Sequence, residues 1–202
     1  MTRVSIGLAA VSFMSAALMG CASSPPTHFY TLSAAAIGSS GSAKESAAEY
    51  SVSVGPVTVP ETVDRPQLVV RIGANQVALV EEHRWAQRLK GEIPRVIAEN
   101  LSQLLGAQRV VTFSQNTVRD AEYRVLVDIQ RFDSTVGQNV MIDALWTVRR
   151  VADGQSKTGR SLVQEATGGE GYDALVEAHS RALATMSREI AEAVRLSNSS
   201  VR

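Results

Sequence analysis

The 202-residue chain has twenty basic and twenty acidic residues, so its formal net charge is zero. A nucleic-acid binder has to displace condensed counterions with clustered basic groups, and the densest basic cluster here is the pair Arg149-Arg150, so nucleic acid is excluded as a partner. Aromatic residues make up 5% of the chain, too few for a base- or sugar-stacking platform, and the single cysteine allows no internal disulfide.

Residues 1–20 are composed unlike the rest. Arg3 gives a positive start, and Val4 to Met19 carries no charge, which is the layout of a signal peptide. The uncharged run falls short of the roughly twenty residues that span a bilayer as a helix. Cys21 follows directly, preceded by Leu18, Met19 and Gly20 and followed by the soft stretch Ala22 to Pro26. A lone cysteine can be a buried small hydrophobe, a nucleophile, half of an intermolecular disulfide, or a lipidation site. Its flanks resemble the lipobox of bacterial lipoproteins, which implies cleavage after Gly20 and acylation of Cys21. Several acyl chains on one residue hold durably where one chain holds only marginally. The residues after the cysteine are Ala22 and Ser23, not the Asp that retains enteric lipoproteins at the inner membrane, which favours the outer membrane with the body in the periplasm.

Residues 21–49 form the lipidated amino terminus and a linker. The tract Ser33 to Glu49 is rich in Ser, Gly and Ala and buries too little apolar surface to offset its ordering entropy; His28 to Leu32 could join the folded body as a strand. The globular domain covers 50–202. Val52, Val54, Val57 and Val59 alternate with small residues as in a strand, and Gly55-Pro56 breaks the period as a bulge does. Leu68 to Ile72 and Val77 to Val80 make two further strands around a turn at Gly73 to Asn75. From Arg84 the spacing of Trp85, Leu89, Ile93, Ile97, Leu101 and Leu104 predicts a helix ending at Gly106, with Pro94 kinking it or dividing it in two.

A brief strand follows in "AQRVVTF". Tyr123 to Ile129 and Val140 to Val148 alternate and enclose turn residues, which predicts an antiparallel hairpin. A turn at Asp153-Gly154 leads to a third strand at about Gly159 to Ala166. Tyr172, Leu175, Val176, His179, Leu183, Met186, Ile190 and Val194 recur at three and four, an amphipathic helix of about six turns. The fold class is α/β: a single domain with a mixed, mostly antiparallel sheet packed against two long amphipathic helices.

Catalytic patterns are missing. His28, His83 and His179 stand apart with no partner at metal-ligand spacing. His83 reads as a solvated residue at a helix start, and His179 as a hydrogen-bonded residue on an apolar helix face. Asp128 and Asp143 on the predicted hairpin could pair for acid/base work, but alternation puts them on a solvent face. "TGGEG" at 167–171 reads as a connector with Thr167 and Glu170 at capping-box spacing, since Glu170 would repel a phosphate. No P-loop and no nucleophile elbow occurs. No catalytic, cofactor or metal residue is assigned.

The run "CASSPPTHFYTL", then "VSVGPVTVPETVDRPQLVVRIGANQVALVEEHRWAQRLKGEIPRVIAENLSQLLG", and later "YRVLVDIQRFD" resembles the ABC-type transport auxiliary lipoprotein family. The resemblance implies a non-enzymatic outer-membrane lipoprotein that works beside an inner-membrane ABC permease and a periplasmic MCE-domain protein, moving phospholipids or other hydrophobic molecules between membranes. It would act as a docking module, through an exposed patch or as a homo-oligomeric ring, and it needs no cofactor. A lipid-binding carrier or a small membrane-tethered hydrolase is the alternative.

Overall fold

The structure, a computed structural model, describes residues 25–35, 50–107, 109–113 and 121–199. The segment read as a signal peptide, Cys21 itself and residues 36–49 of the tract read as a linker lie outside the described residues, whereas Ser33 to Ala35 of that tract are described. The strands are β1 (His28–Tyr30), β2 (Ser51–Thr58), β3 (Gln67–Gly73), β4 (Gln76–Trp85), β5 (Arg109–Thr112), β6 (Tyr123–Thr135), β7 (Asn139–Arg150) and β8 (Ser156–Ala166). Helix α1 (Leu89–Leu105) lies between β4 and β5, and α2 (Tyr172–Ser199) closes the chain.

The expected α/β domain is present, with its strands divided between two sheets. One has the order β1-β4-β3 and the other β5-β2-β6-β7-β8. The β6–β7–β8 meander is antiparallel over long ladders, whereas β2 joins β5 and β6 by short parallel pairings. In β2, Val52, Val54 and Val57 are buried, and the register shifts between Val54 and Val57 where Gly55-Pro56 interrupts the alternation. Gly55 has φ of 125°, and a Cβ there would come within 2.8 Å of Phe113 Cβ. Only glycine serves both demands.

Helix α2 buries the stripe that its periodicity marks, from Leu175 and Val176 through His179 and Leu183 to Met186, Ile190 and Val194. Helix α1 buries Leu89, Ile93, Ile97 and Leu101 and ends at Gly106, whose left-handed backbone lets its N–H donate to the Ser102 carbonyl at 3.1 Å. Two expectations about α1 need correction. It begins at Leu89 rather than Arg84, because Trp85 is the last residue of β4. It is also one element through Pro94 rather than two shorter helices, and the carbonyl that Pro94 leaves without a partner belongs to Lys90, an exposed residue. Trp85 still enters the core, 5% exposed and edge-on to Phe132 and His179, so its burial was read correctly and its element was not.

Candidate functional site

The amino-terminal arm, residues 25–35, is the segment that would join this body to an anchor at Cys21, and the fold secures it at successive points. β1 adds to the edge of the smaller sheet, parallel to β4, with His28 beside His83 and Tyr30 beside Trp85. Tyr30 Oη and His83 Nδ1 share a hydrogen bond of 2.6 Å, and the His83 ring stacks on His28 at 5.1 Å and on Tyr172 at 3.9 Å. His83 is therefore a strand residue inside an aromatic stack, not a solvated residue at a helix start. Burial, then the neighbouring His28, pushes its pKa down.

Beyond β1 the arm drops between the two helices. Leu32 is 1% exposed within the core, and full burial of such a side chain is worth about 2 kcal/mol. Its carbonyl accepts a hydrogen bond from Arg95 Nη2 at 2.7 Å. The Ser33 amide donates to Ser180 Oγ at 3.1 Å on α2, and the Ala35 amide donates to Asn100 Oδ1 at 3.2 Å on α1. Asn100 in turn donates to Ser187 Oγ at 3.3 Å, so the residue that holds the arm also ties the helices together. The polar positions Asn100, Ser180 and Ser187, buried on otherwise apolar helix faces, are thereby satisfied.

Arg95 is held between Glu92 Oε1 at 3.1 Å and Glu99 Oε1 at 2.8 Å. The Glu92 side chain is fully enclosed. Burial raises its pKa, against the opposing pull of Arg95 and of the Leu32 backbone amide. The clamp thus contains a carboxylate whose charge is costly and whose counter-charge grips the arm.

The residues weighed for catalysis are not brought together. Asp128 accepts from Thr58 Oγ1 and from Gln130 Nε2. Asp143 accepts two bonds from Arg160, at 2.8 and 2.7 Å, and is 5% exposed. The expected solvent-facing Asp143 is instead covered by the Arg160 side chain, whose hydrogen bonds hold the carboxyl below the usual range. An ionised carboxylate locked in this way is unsuited to giving a proton.

His179 is fully buried, 2.7 Å from Ser134 Oγ through Nε2 and stacked on Phe132 at 3.9 Å. Burial drives its pKa down to about 3. It is the core histidine expected from its place on the apolar face, and the Ser134–His179 pair is shut off from solvent. Thr167 and Glu170 do not form a capping box, because Thr167 Oγ1 donates to the Gly169 carbonyl at 2.9 Å and the helix starts only at Tyr172. Among the described residues no three metal-ligating side chains converge, and no helix is long and apolar enough to cross a membrane.

Among the hollows in the surface of the described residues, two open to solvent near the helices. One, about 590 Å³, lies between the carboxy-terminal ends of the helices beside Leu104, Arg188 and Arg195. The other, about 310 Å³, lies where the arm meets α2 at Ser33, Val176 and Ser180. Sequence reading placed His28 to Leu32 on the folded body but missed how the arm is seated between the helices. Its partners lie 65 and 147 positions away, and the one available signal is the presence of Asn100, Ser180 and Ser187 on helix faces that are otherwise apolar.

Known structures share this fold. A crystal structure of an uncharacterized protein superposes with a TM-score of 0.68 at 20% identity, covering 84% of this chain and 99% of the other. Protein XCC0632 from Xanthomonas campestris superposes with a TM-score of 0.62 at 15% identity, covering 81% of this chain and 92% of its own. Identities this low establish the shared fold alone. No curated protein matches the sequence. The model of the ABC-type transport auxiliary lipoprotein component matches residues 30–191, from the last residue of β1 to late in α2. The chain belongs to the family of ABC-type transport auxiliary lipoprotein components.

Proposed function

We propose that this protein is acylated on Cys21, held at the outer membrane facing the periplasm, and serves as a non-enzymatic docking component of an intermembrane lipid transport system. Its partners would be a periplasmic MCE-domain protein and an inner-membrane ABC permease, and its role would be to support the integrity of the envelope. The observation that carries this reading is the seating of the arm. Leu32, Ser33 and Ala35 fasten the segment nearest Cys21 to both helices, so a lipid at Cys21 would hold the whole domain and not a loose tail. His28 stands seven residues after Cys21, a lead of at most roughly 25 Å when fully extended.

Ala22 and Ser23 after the cysteine favour the outer membrane. A carrier would need an enclosed apolar chamber of some hundreds of cubic ångströms, and the two hollows are open surface features. The same openness counts against a tethered hydrolase, as does the sealed Ser134–His179 pair.

The reading is tested by palmitate labelling and membrane fractionation of the native chain and of Cys21→Ser, with crosslinking in whole cells. Label on the native chain alone, sedimentation with the outer membrane, and crosslinks to an MCE-domain protein are expected. An unlabelled native chain, or a Cys21→Ser form that supports the envelope while diffusing freely, would overturn it.

A further inference from the structure

The hairpin made by β3 and β4 carries nine successive uncharged residues, Ile72 to Val80. Ile72, beside the turn, is 57% exposed, and Val77 and Leu79, on the opposite face of the hairpin, are 52% and 45% exposed. Arg71, directly across from Val77, reaches forward to donate to the Gly73 and Ala74 carbonyls of the turn and pairs with Asp133. Large apolar groups exposed on both faces of a hairpin end mark a contact surface. The direction of β1 says what covers it. Because β1 runs parallel to β4 with His28 beside His83, the chain reaches His28 from the end of the sheet where the hairpin tip lies. The seven residues from Cys21 to His28 reach at most roughly 25 Å. From Gln76 to His83 the strand β4 covers a similar span, roughly 23 Å. Acyl chains on Cys21 and the hairpin tip can therefore meet the same plane.

We propose that Ile72, Val77 and Leu79 seat the hairpin tip in the headgroup region of the bilayer that holds acylated Cys21, fixing how the domain is turned as well as how far it stands away. The inference rests on the tether reading above. The charge at the tip, Arg71, is already paired with Asp133 and with the turn carbonyls, so the tip can enter that region without leaving a lone charge unsatisfied. Acyl chains already supply durable attachment, so the hairpin has only to orient the domain.

The test uses the full acylated chain in vesicles of phosphatidylethanolamine and phosphatidylglycerol. With Cys21 blocked by lipid, Val77→Cys and Leu79→Cys each offer one free thiol for an environment-sensitive dye. Lys157→Cys is the distant control, because Lys157 stands opposite Val148 at the end of the meander far from Asp133. A several-fold rise in emission with a blue shift at positions 77 and 79, quenched by doxyl-labelled lipid, is expected, with no change at 157. Unchanged emission at 77 and 79 on a chain whose intact mass shows acylated Cys21 overturns the inference and leaves the tether standing. A shift that grows with protein concentration without vesicles means a second copy covers the tip, and also overturns it. An unacylated mass removes the tether reading and this inference with it.

Discussion

Gly159 stands directly across the β7–β8 ladder from Trp146, and the indole lies so close over it that a Cβ at residue 159 would come within 2.1 Å of Trp146 Cζ2. The glycine gives the ring a floor, and Ser161 fixes its edge by accepting from Trp146 Nε1 at 2.9 Å. Gly159→Ala must therefore displace the indole and strain the Ser161 bond. A cost of about 1–3 kcal/mol is expected, seen as a melting temperature lower by several degrees and a changed near-ultraviolet circular dichroism signal. An unchanged melting curve would mean that the ring has room elsewhere.

Removing the apolar pin of the arm should loosen it without unfolding the domain. Leu32→Ala takes a fully buried side chain from the core and is expected to cost about 2–5 kcal/mol. Ser180→Ala, which deprives the Ser33 amide of its acceptor, should cost about 1 kcal/mol. Hydrogen exchange at Ser33 and Ala35 should quicken in both variants, well before the amides of β6 and β7 respond.

His179 makes the fold sensitive to acid. Its folded pKa of about 3 lies below the ordinary value of 6.5, so below pH 6.5 the unfolded chain takes up a proton that the folded chain refuses. Stability from this residue is fully present above pH 6.5 and is lost as the pH falls toward 3, on the order of 4–5 kcal/mol in all. His179→Phe retains an aromatic ring against Phe132 and should flatten the denaturation midpoint across that window relative to the native chain. Parallel curves for the two proteins would show that the imidazole can reach solvent.

Glu92 acts with the opposite sign. Because burial raises its pKa in the folded state, the unfolded chain loses this proton first, and ionisation weighs against folding as the pH rises through the carboxylate range. Glu92→Gln keeps an acceptor for Arg95, which retains Glu99 as its counter-charge. The variant should be more stable than the native chain at pH 7 and should converge with it near pH 4. Urea denaturation at the two pH values decides this.

The helices and the meander were legible because each shows one clean period over many residues, as the stripe from Leu175 to Val194 does. The start of α1 was misread for a specific reason. Trp85 lies four residues before Leu89 and continues the helical spacing by coincidence, while its burial comes from the end of a strand. Asp143 was assigned to its face by alternation, which cannot see Arg160 reaching diagonally from the next strand to cover it. The arm's seat and the His28–His83–Tyr172 stack depend on contacts between distant parts of the chain, and no local pattern encodes them.

The parallel run of β1 beside β4 has a mechanical consequence. A pull on the chain ahead of His28 acts along the strand axis, so the hydrogen bonds between His28–Tyr30 and His83–Trp85 share the load in shear and are not peeled apart one by one. Behind them, the Leu32 pin and the Arg95 grip resist the same displacement. Tension applied at the amino terminus would in this way reach the core without first opening the edge of the sheet.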